Sequence, residues 1–465
     1  MSKQWRNALL FFWTFGVCLS AALDVRAETD LPPSAKVLDR DLILYSWPYP
    51  VISPDGEKVA YVSRGYVCVA SVAGGEVRRL LEVRDTWTHF LALPENAYAD
   101  GDFSALARSA SRDEYNAMLG KIKNMLYSLQ WTTQSDGVAF GIESYDEPRT
   151  HTHFVVLLTS LDGERKKLAS AQHENTARGF SGDFILSRDG RHLVATNLGR
   201  RPLIWDVAAN KPRATPYLRL TPSATSDRWL AIEKDTREVV VLDDNFAVIK
   251  RTNEFRPSRS HGLRMEWSPD ENFAILRNQI GFDHHSNWEG FRLDLSTGEK
   301  LPLEGRFIDE QIAFTGRGGE FIRCGQSGVQ TRGYDQVAGA HLTIYPSDAG
   351  DAQDVWRITV EGDQRFDRAM LFAPGRQAMI ADPAFERFAI ALANASGVSP
   401  RGYWRLLNRE GVMWRFPGED RDARVSPYTI VGFAQKGQLI VAHDEKRLFT
   451  IPVSSVMTAE NVVKK

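Results

Sequence analysis

Only three cysteines occur in 465 residues, at positions 18, 68 and 324. That is too few for a disulfide framework, and none of them forms a C-x-x-C pair, so no cysteine metal site is expected. A basic surplus is also missing. Lys and Arg number 57 against 59 Asp and Glu, for a net charge of −2, and such a balance gives no long-range attraction for nucleic acid. Beyond the N-terminal leader no run reaches eighteen apolar residues, so no membrane-spanning helix is expected. Motifs for common catalytic machinery are absent as well. The nearest string to a G-x-S-x-G nucleophile elbow, Gly179-Phe180-Ser181-Gly182-Asp183, lacks the closing glycine, and no Walker or dinucleotide glycine motif occurs. What remains is a composition with 43% hydrophobic and 25% charged residues, as in a folded domain. Length alone suggests about three domains.

Residues 1–27 read as a secretory signal peptide. Lys3 and Arg6 open it, Ala8 to Leu23 form an uncharged apolar-rich run, and Val25-Arg26-Ala27 supplies small residues for cleavage after Ala27. The run is too short to cross a hydrocarbon core. A lipoprotein site at Cys18 would need a small preceding residue, and Val17 stands there. Cleavage removes Lys3, Arg6 and Arg26 together with Asp24, which takes the net charge from −2 to −4. The expected location is therefore secreted, periplasmic or within the cell envelope. Cys68 and Cys324, both inside apolar strand patterns, are expected to be separate buried thiols.

Self-similarity runs through the rest of the chain. At Ser53 it reads S-P-D-G-E-K-V-A-Y-V-S, at Ser187 S-R-D-G-R-H-L-V-A-T, and at Ser268 S-P-D-E-N-F-A-I-L-R. Weaker copies begin near positions 134, 226, 315, 382 and 435. In each, a polar turn leads into a short alternating strand, a second strand follows, and a hairpin leads on to a third. Period-two alternation bounded by Gly, Asp and Pro marks antiparallel strands. Small sheets of this kind bury their faces by stacking into a ring. The expected fold is all-β: a single β-propeller over 38–455, with seven or eight four-stranded blades, eight preferred, and a short C-terminal tail at 456–465. The L-I-L-Y string within 38–47 is expected to complete the last blade and close the ring.

The S-P-D-G turn, the strand after it and the following hairpin resemble the WD-like repeats of TolB-type periplasmic propellers. They are also similar to the N-terminal propellers of dipeptidyl-peptidase-type proteins. The resemblance rests on Ser53-Pro54-Asp55-Gly56, Ser187-Arg188-Asp189-Gly190 and Ser268-Pro269-Asp270. It implies the propeller architecture. The hydrolase domain of the peptidases is not expected here, because the last repeat unit leaves no length for it.

One stretch breaks the pattern. Ser111 and Glu114 form a capping box, and Tyr115, Met118, Leu119, Ile122, Met125, Leu126 and Leu129 then fall on one helical face. A helical insertion over 85–126 is expected, either packed on the propeller or serving as a lid or docking element. Two histidine groups are the metal candidates: His151 and His153 in an H-x-H string, and His284 and His285 after Asp283. Both groups fall between the second and third strands of their units. Imidazole with carboxylate suits zinc or manganese, and the alternative is that these are solvated loop residues. Trp288 and Asp283 are candidate ligand-binding residues, whereas Trp205, Trp229 and Trp267 belong to repeat strands and are expected between blades.

The leading expectation is an exported, non-catalytic propeller that binds a protein, peptide or saccharide of the envelope or exterior through its loops or central funnel. No nucleic acid partner, no membrane anchor after cleavage and no cofactor are expected, and the protein is expected to be a monomer. The rival is a metal-assisted propeller enzyme, a lyase or hydrolase, using the histidine loops.

Overall fold

The computed structural model describes residues 31–463 apart from 41, 43–48, 65, 83–123, 146–150, 175–183, 196–201, 210, 255–263, 281–286, 304–306, 332–333, 349–350, 360–363, 367–378, 395–402, 418–427 and 445. The leader, 1–27, lies outside them. The alternating segments fold as strands, which build eight antiparallel blades. Blade 1 comprises β2 (Val51–Ile52), β3 (Lys58–Ser63), β4 (Tyr66–Ser71) and β5 (Arg78–Glu82). Blade 2 comprises β6 (Asn124–Trp131), β7 (Gly137–Tyr145), β8 (His151–Ser160) and β9 (Arg165–Glu174). Blade 3 is β10 (Phe184–Leu186), β11 (His192–Ala195), β12 (Leu203–Asp206) and β13 (Lys211–Ala214). Blade 4 is β14 (Tyr217–Pro222), β15 (Trp229–Glu233), β16 (Glu238–Leu242) and β17 (Val248–Glu254).

Blade 5 contains β18 (Arg264–Trp267), β19 (Phe273–Ile280), β20 (Asn287–Asp294) and β21 (Lys300–Pro302). Blade 6 contains β22 (Phe307–Phe314), β23 (Phe321–Thr331), β24 (Tyr334–Tyr345) and β25 (Gln353–Thr359). In blade 7, β26 (Gln364–Phe366) and β27 (Met379–Ala381) pair with different parts of β28 (Arg387–Asn394), followed by β29 (Tyr403–Asn408) and β30 (Met413–Arg415). Blade 8 is β31 (Thr429–Ala434), β32 (Leu439–His443), β33 (Leu448–Pro452) and, as its outermost strand, β1 (Lys36–Asp39). First strands of successive blades lie side by side, as β31 with β2, β2 with β6, and β18 with β22, so these strands surround the centre.

The repeated motif is the turn between first and second strands. The Ser53 hydroxyl donates to Asp55 and accepts the Lys58 N–H at 2.9 Å, while Asp55 accepts the Glu57 N–H at 2.9 Å. Ser187 with Asp189 and Ser268 with Asp270 repeat the arrangement. Four residues into the turn the backbone is left-handed: φ is +75° at Gly56 and +70° at Gly190. Glycine adopts that region without steric penalty. The imperfect copies put other residues there, Ser135 at 59° and Glu271 at 62°, and these side chains tie blades together. Ser135 Oγ accepts the Asp55 N–H of blade 1 at 3.2 Å, and Glu271 accepts from Ser223 and Thr225 of blade 4. Divergence from S-P-D-G at these two positions therefore places an inter-blade contact where the consensus has a flexible glycine.

The turn aspartates respond to acid. Burial raises the carboxyls of Asp55 and Asp189, but hydrogen bonds from Ser53 or Ser187, backbone N–H groups and the neighbouring Lys58 or Arg191 outweigh it, so both end below the ordinary value. Ionised carboxylates favoured in the folded state add stability above the unfolded pKa of about 4, and lose it as pH falls through their lower folded values. Asp55→Asn and Asp189→Asn are expected to flatten the acid limb below pH ~4, measured by urea unfolding between pH 2.5 and 7. An unchanged slope would contradict this role.

Blade faces pack into apolar seams. Trp205 lies between blades 2 and 3 with Leu168, Leu186 and Leu193, and Trp229 between blades 3 and 4 with Val194, Ile204 and Val240. Trp267 packs partly buried in the seam between blades 4 and 5. Cys68 and Cys324 are buried and form no disulfide. Burial first, then Asp39, pushes the Cys68 thiol up to about 12, against the pull of Arg79, so it stays protonated and unreactive.

Two expectations are corrected. The ring is closed through an N-terminal strand, but that strand is Lys36–Asp39, one step before L-I-L-Y; Val37 pairs with Phe449, and Leu42 N–H bonds the Lys446 carbonyl at 2.7 Å. Met125, Leu126 and Leu129, assigned to the helix, lie in β6 of blade 2, because pairing with β7 gives that segment a ladder. The rest of the 85–126 insertion, up to residue 123, lies outside the described residues. The short C-terminal tail makes contacts of its own. A short helix α1 (Val453–Val456) buries Val456, Val462 bridges to Trp414, and Val463 N–H bonds the Met413 carbonyl at 2.8 Å.

Candidate functional site

Two parts of the ring carry polar chemistry. The first is the inner wall of blades 4 and 5. Residues two and four places before the repeat serine lie on the strand nearest the centre. Two places before, blades 1, 3 and 7 have Val51, Ile185 and Ile380, but blade 5 has Glu266, and four places before it has Arg264. Arg264 is exposed, and 40% of the Glu266 side chain remains accessible, whereas Arg277 on the next strand is buried. Arg277 stands opposite Arg264 in the β18–β19 register and its Nη2 is 3.5 Å from Glu266 Oε1. Enclosure by protein raises the Glu266 carboxyl above its ordinary value, opposed by Arg277, Arg264 and Arg219 of blade 4. The wall thus gathers three guanidinium groups around one carboxylate.

Blade 6 continues this polarity. Arg323, 1% exposed, and His341, 9% exposed, sit on neighbouring strands of one sheet. Arg292 of blade 5 reaches across to donate to the Gly319 and Pro346 carbonyls of blade 6 at 2.9 and 3.1 Å. Its guanidinium is buried, and burial lowers its pKa against the opposing pull of Asp294, Glu299 and Asp348. These charge-assisted bonds add to the apolar packing of the same seam, where Ile275 and Leu303 of blade 5 meet Ile312, Phe314 and Phe321 of blade 6.

The second part is the end of the ring opposite the S-x-D turns. Second and third strands start in register near those turns, as in Lys58↔Ser71, Gly137↔Ser160 and Phe321↔Tyr345, so extra length extends toward the other end. The paired strands have 4 and 4 residues in blade 3, 9 and 10 in blade 2, and 11 and 12 in blade 6. At ~3.3 Å per residue, the described strands of blade 6 exceed those of blade 3 by about 25 Å. That end has uneven walls.

Of the sequence-predicted residues, His151, His153 and Trp288 belong to this end. His151 and His153 begin β8. Trp288 is in β20, opposite Gln279, and pairs with Phe307 of β22 in the bridge joining the sheets of blades 5 and 6. Asp283, His284 and His285, between β19 and β20, lie outside the described residues. His151 and His153 belong to blade 2. Arg219, Arg264, Glu266 and Arg277 were not singled out from the sequence; the two charges just ahead of Ser268-Pro269-Asp270 are a local signal for Arg264 and Glu266 alone.

No protein-family model and no curated protein matches the sequence. Among solved structures, the C-terminal WD40 domain of Sif2 is similar over 90% of this chain and 98% of that one, at 10% identity and a TM-score of 0.49. The β-propeller domain of the Trilobed protease from Pyrococcus furiosus is similar over 70% of this chain and 95% of that one, at 15% identity and a TM-score of 0.38. Acylaminoacyl peptidase of Pyrococcus horikoshii is similar over 69% of this chain and 49% of its own length, at 13% identity and a TM-score of 0.37. The architecture, eight four-stranded blades in a ring, is that of a β-propeller. No helix among the described residues is long and apolar enough to cross a membrane.

Proposed function

We propose that this chain is an exported, TolB-type propeller that binds a protein, peptide or saccharide of the cell envelope without transforming it, and that the ligand approaches the centre of the ring. The observation that supports this reading most directly is the charged inner wall. Glu266 occupies a position on the innermost strand that is apolar in blades 1, 3 and 7, with Arg264 two residues before it, and a ring needs no charge there to hold its blades together. Guanidinium groups present planar donor pairs suited to carboxylates and sugar hydroxyls. The leader at 1–27 supports export, and the repeats supply a scaffold without a nucleophile elbow.

The test is affinity capture with the tagged full chain on envelope extract, identification of the bound component, and titration with that component purified. Arg264→Glu is expected to weaken binding about ten- to a hundredfold, the scale of one lost charged hydrogen bond made repulsive, with an unchanged melting temperature. Equal affinity for wild type, Arg264→Glu and Arg219→Glu would overturn the channel as the binding site.

A further inference from the structure

The strand register of blade 2 puts a third metal-ligand residue beside the H-x-H string. His151 and His153 are two apart on β8, hence on one face of the sheet. In the β8–β9 ladder His151 stands directly opposite Glu174, and His153 opposite Gln172. Directly paired residues share a face, so His151, His153 and Glu174 lie on the same one. Thr152, paired with His173, lies on the other face, together with Val156, which packs toward blade 3.

The spacing suits a single cation. Opposite residues in an antiparallel ladder are about 5 Å apart between Cα atoms, diagonal ones about 7–8 Å, and next-but-one residues along a strand about 7 Å. These three positions therefore form a small triangle on one face of the sheet. An ordinary cross-strand Glu–His pair uses one histidine. A second histidine on the same face two residues along makes a set of three donors. Two imidazoles and a carboxylate match zinc, with one coordination position left over. Elsewhere, among residues whose side chains are described, no group of three His, Cys, Asp or Glu could hold a metal.

We infer that His151, His153 and Glu174 form a zinc site at the end of blade 2 opposite the S-x-D turns. The site does not involve the Asp283-His284-His285 group, and it is independent of the binding reading above, since zinc uptake can be measured with no partner present.

The experiment is calorimetric titration of the metal-stripped full chain with zinc sulfate, followed by the visible spectrum of the cobalt-loaded protein. One zinc per chain is expected, along with d–d bands of a low-symmetry cobalt site. Glu174→Gln, nearly isosteric, and His153→Ala should each weaken uptake at least tenfold and remove or shift the cobalt bands. A His284→Ala/His285→Ala double variant should bind as wild type. Melting curves recorded without metal check that the variants fold. Absence of zinc uptake by the wild type, uptake undiminished in both Glu174→Gln and His153→Ala, or loss only in the His284/His285 variant would each overturn the assignment.

Discussion

Alanine at position 229 is expected to destabilise the ring by about 3–5 kcal/mol, the range for removing a large buried aromatic. Trp229 is 1% exposed and starts the second strand of blade 4. It fills the seam against Val194 and Ile204 of blade 3, and its ring centroid is 5.1 Å from that of Phe246. Neighbouring blades are held by their own strand ladders and cannot close over the missing indole, so most of the cavity persists. Urea unfolding of Trp229→Ala against wild type measures the loss. Trp229→Phe keeps most of the volume and should recover more than half of it. A loss below about 1 kcal/mol for the alanine variant would mean that the seam relaxes freely, contrary to close packing.

The Leu38→Ala/Leu42→Ala double variant is expected to lose about 4–8 kcal/mol, since single buried leucine truncations cost about 2–5. That is a large part of the roughly 5–15 kcal/mol available to a folded domain. Leu38 lies on β1, the strand contributed to blade 8 from the other end of the chain, and Leu42 follows it. Both pack with Val59 and Tyr61 of blade 1 and with Ala434, Val441 and Leu448 of blade 8. Tyr61 adds a hydrogen bond from its hydroxyl to Asp39 at 2.7 Å, which fastens β1 to blade 1. Weakening this joint frees the edge of β33 and lets the ring open. Hydrogen exchange should therefore quicken first in Thr429–Pro452 and only later in blades 3 and 4. Uniform acceleration around the ring would indicate that β1 is not the closing element.

Much of this architecture could be read without the structure, because it depends on local rules. Asp-Gly turns with a serine three residues before the glycine, followed by alternating residues, repeat often enough to define blades, and the turn geometry at Ser53, Ser187 and Ser268 follows from side chains within five residues. Local rules do not decide a segment's fate where it depends on distant partners. Met125, Leu126 and Leu129 have helical spacing, yet β7 offers them a ladder, and tertiary pairing overrides a short-range period. The closing strand shifted from L-I-L-Y to Lys36–Asp39 for the same reason: register with Phe449 and Thr450 decides which residues pair. The tail acquired structure because Trp414, about fifty residues earlier in the chain, supplies a place for Val462.

The functional residues divide in the same way. His151 and His153 stand out in the sequence because they are two apart, and two is the period of a strand. Glu174 and the Arg219, Arg264, Glu266 and Arg277 group do not, because their neighbours come from other strands or blades. The sequence alone determined the all-β repeat, the turn chemistry, the buried thiols and the number of blades preferred, all set by short-range alternation and backbone conformation. Only the tertiary structure decided which strand closes the ring, which charges meet at its centre and which carboxylate stands beside the histidines, since those depend on the register and curvature of sheets built from residues far apart in the chain.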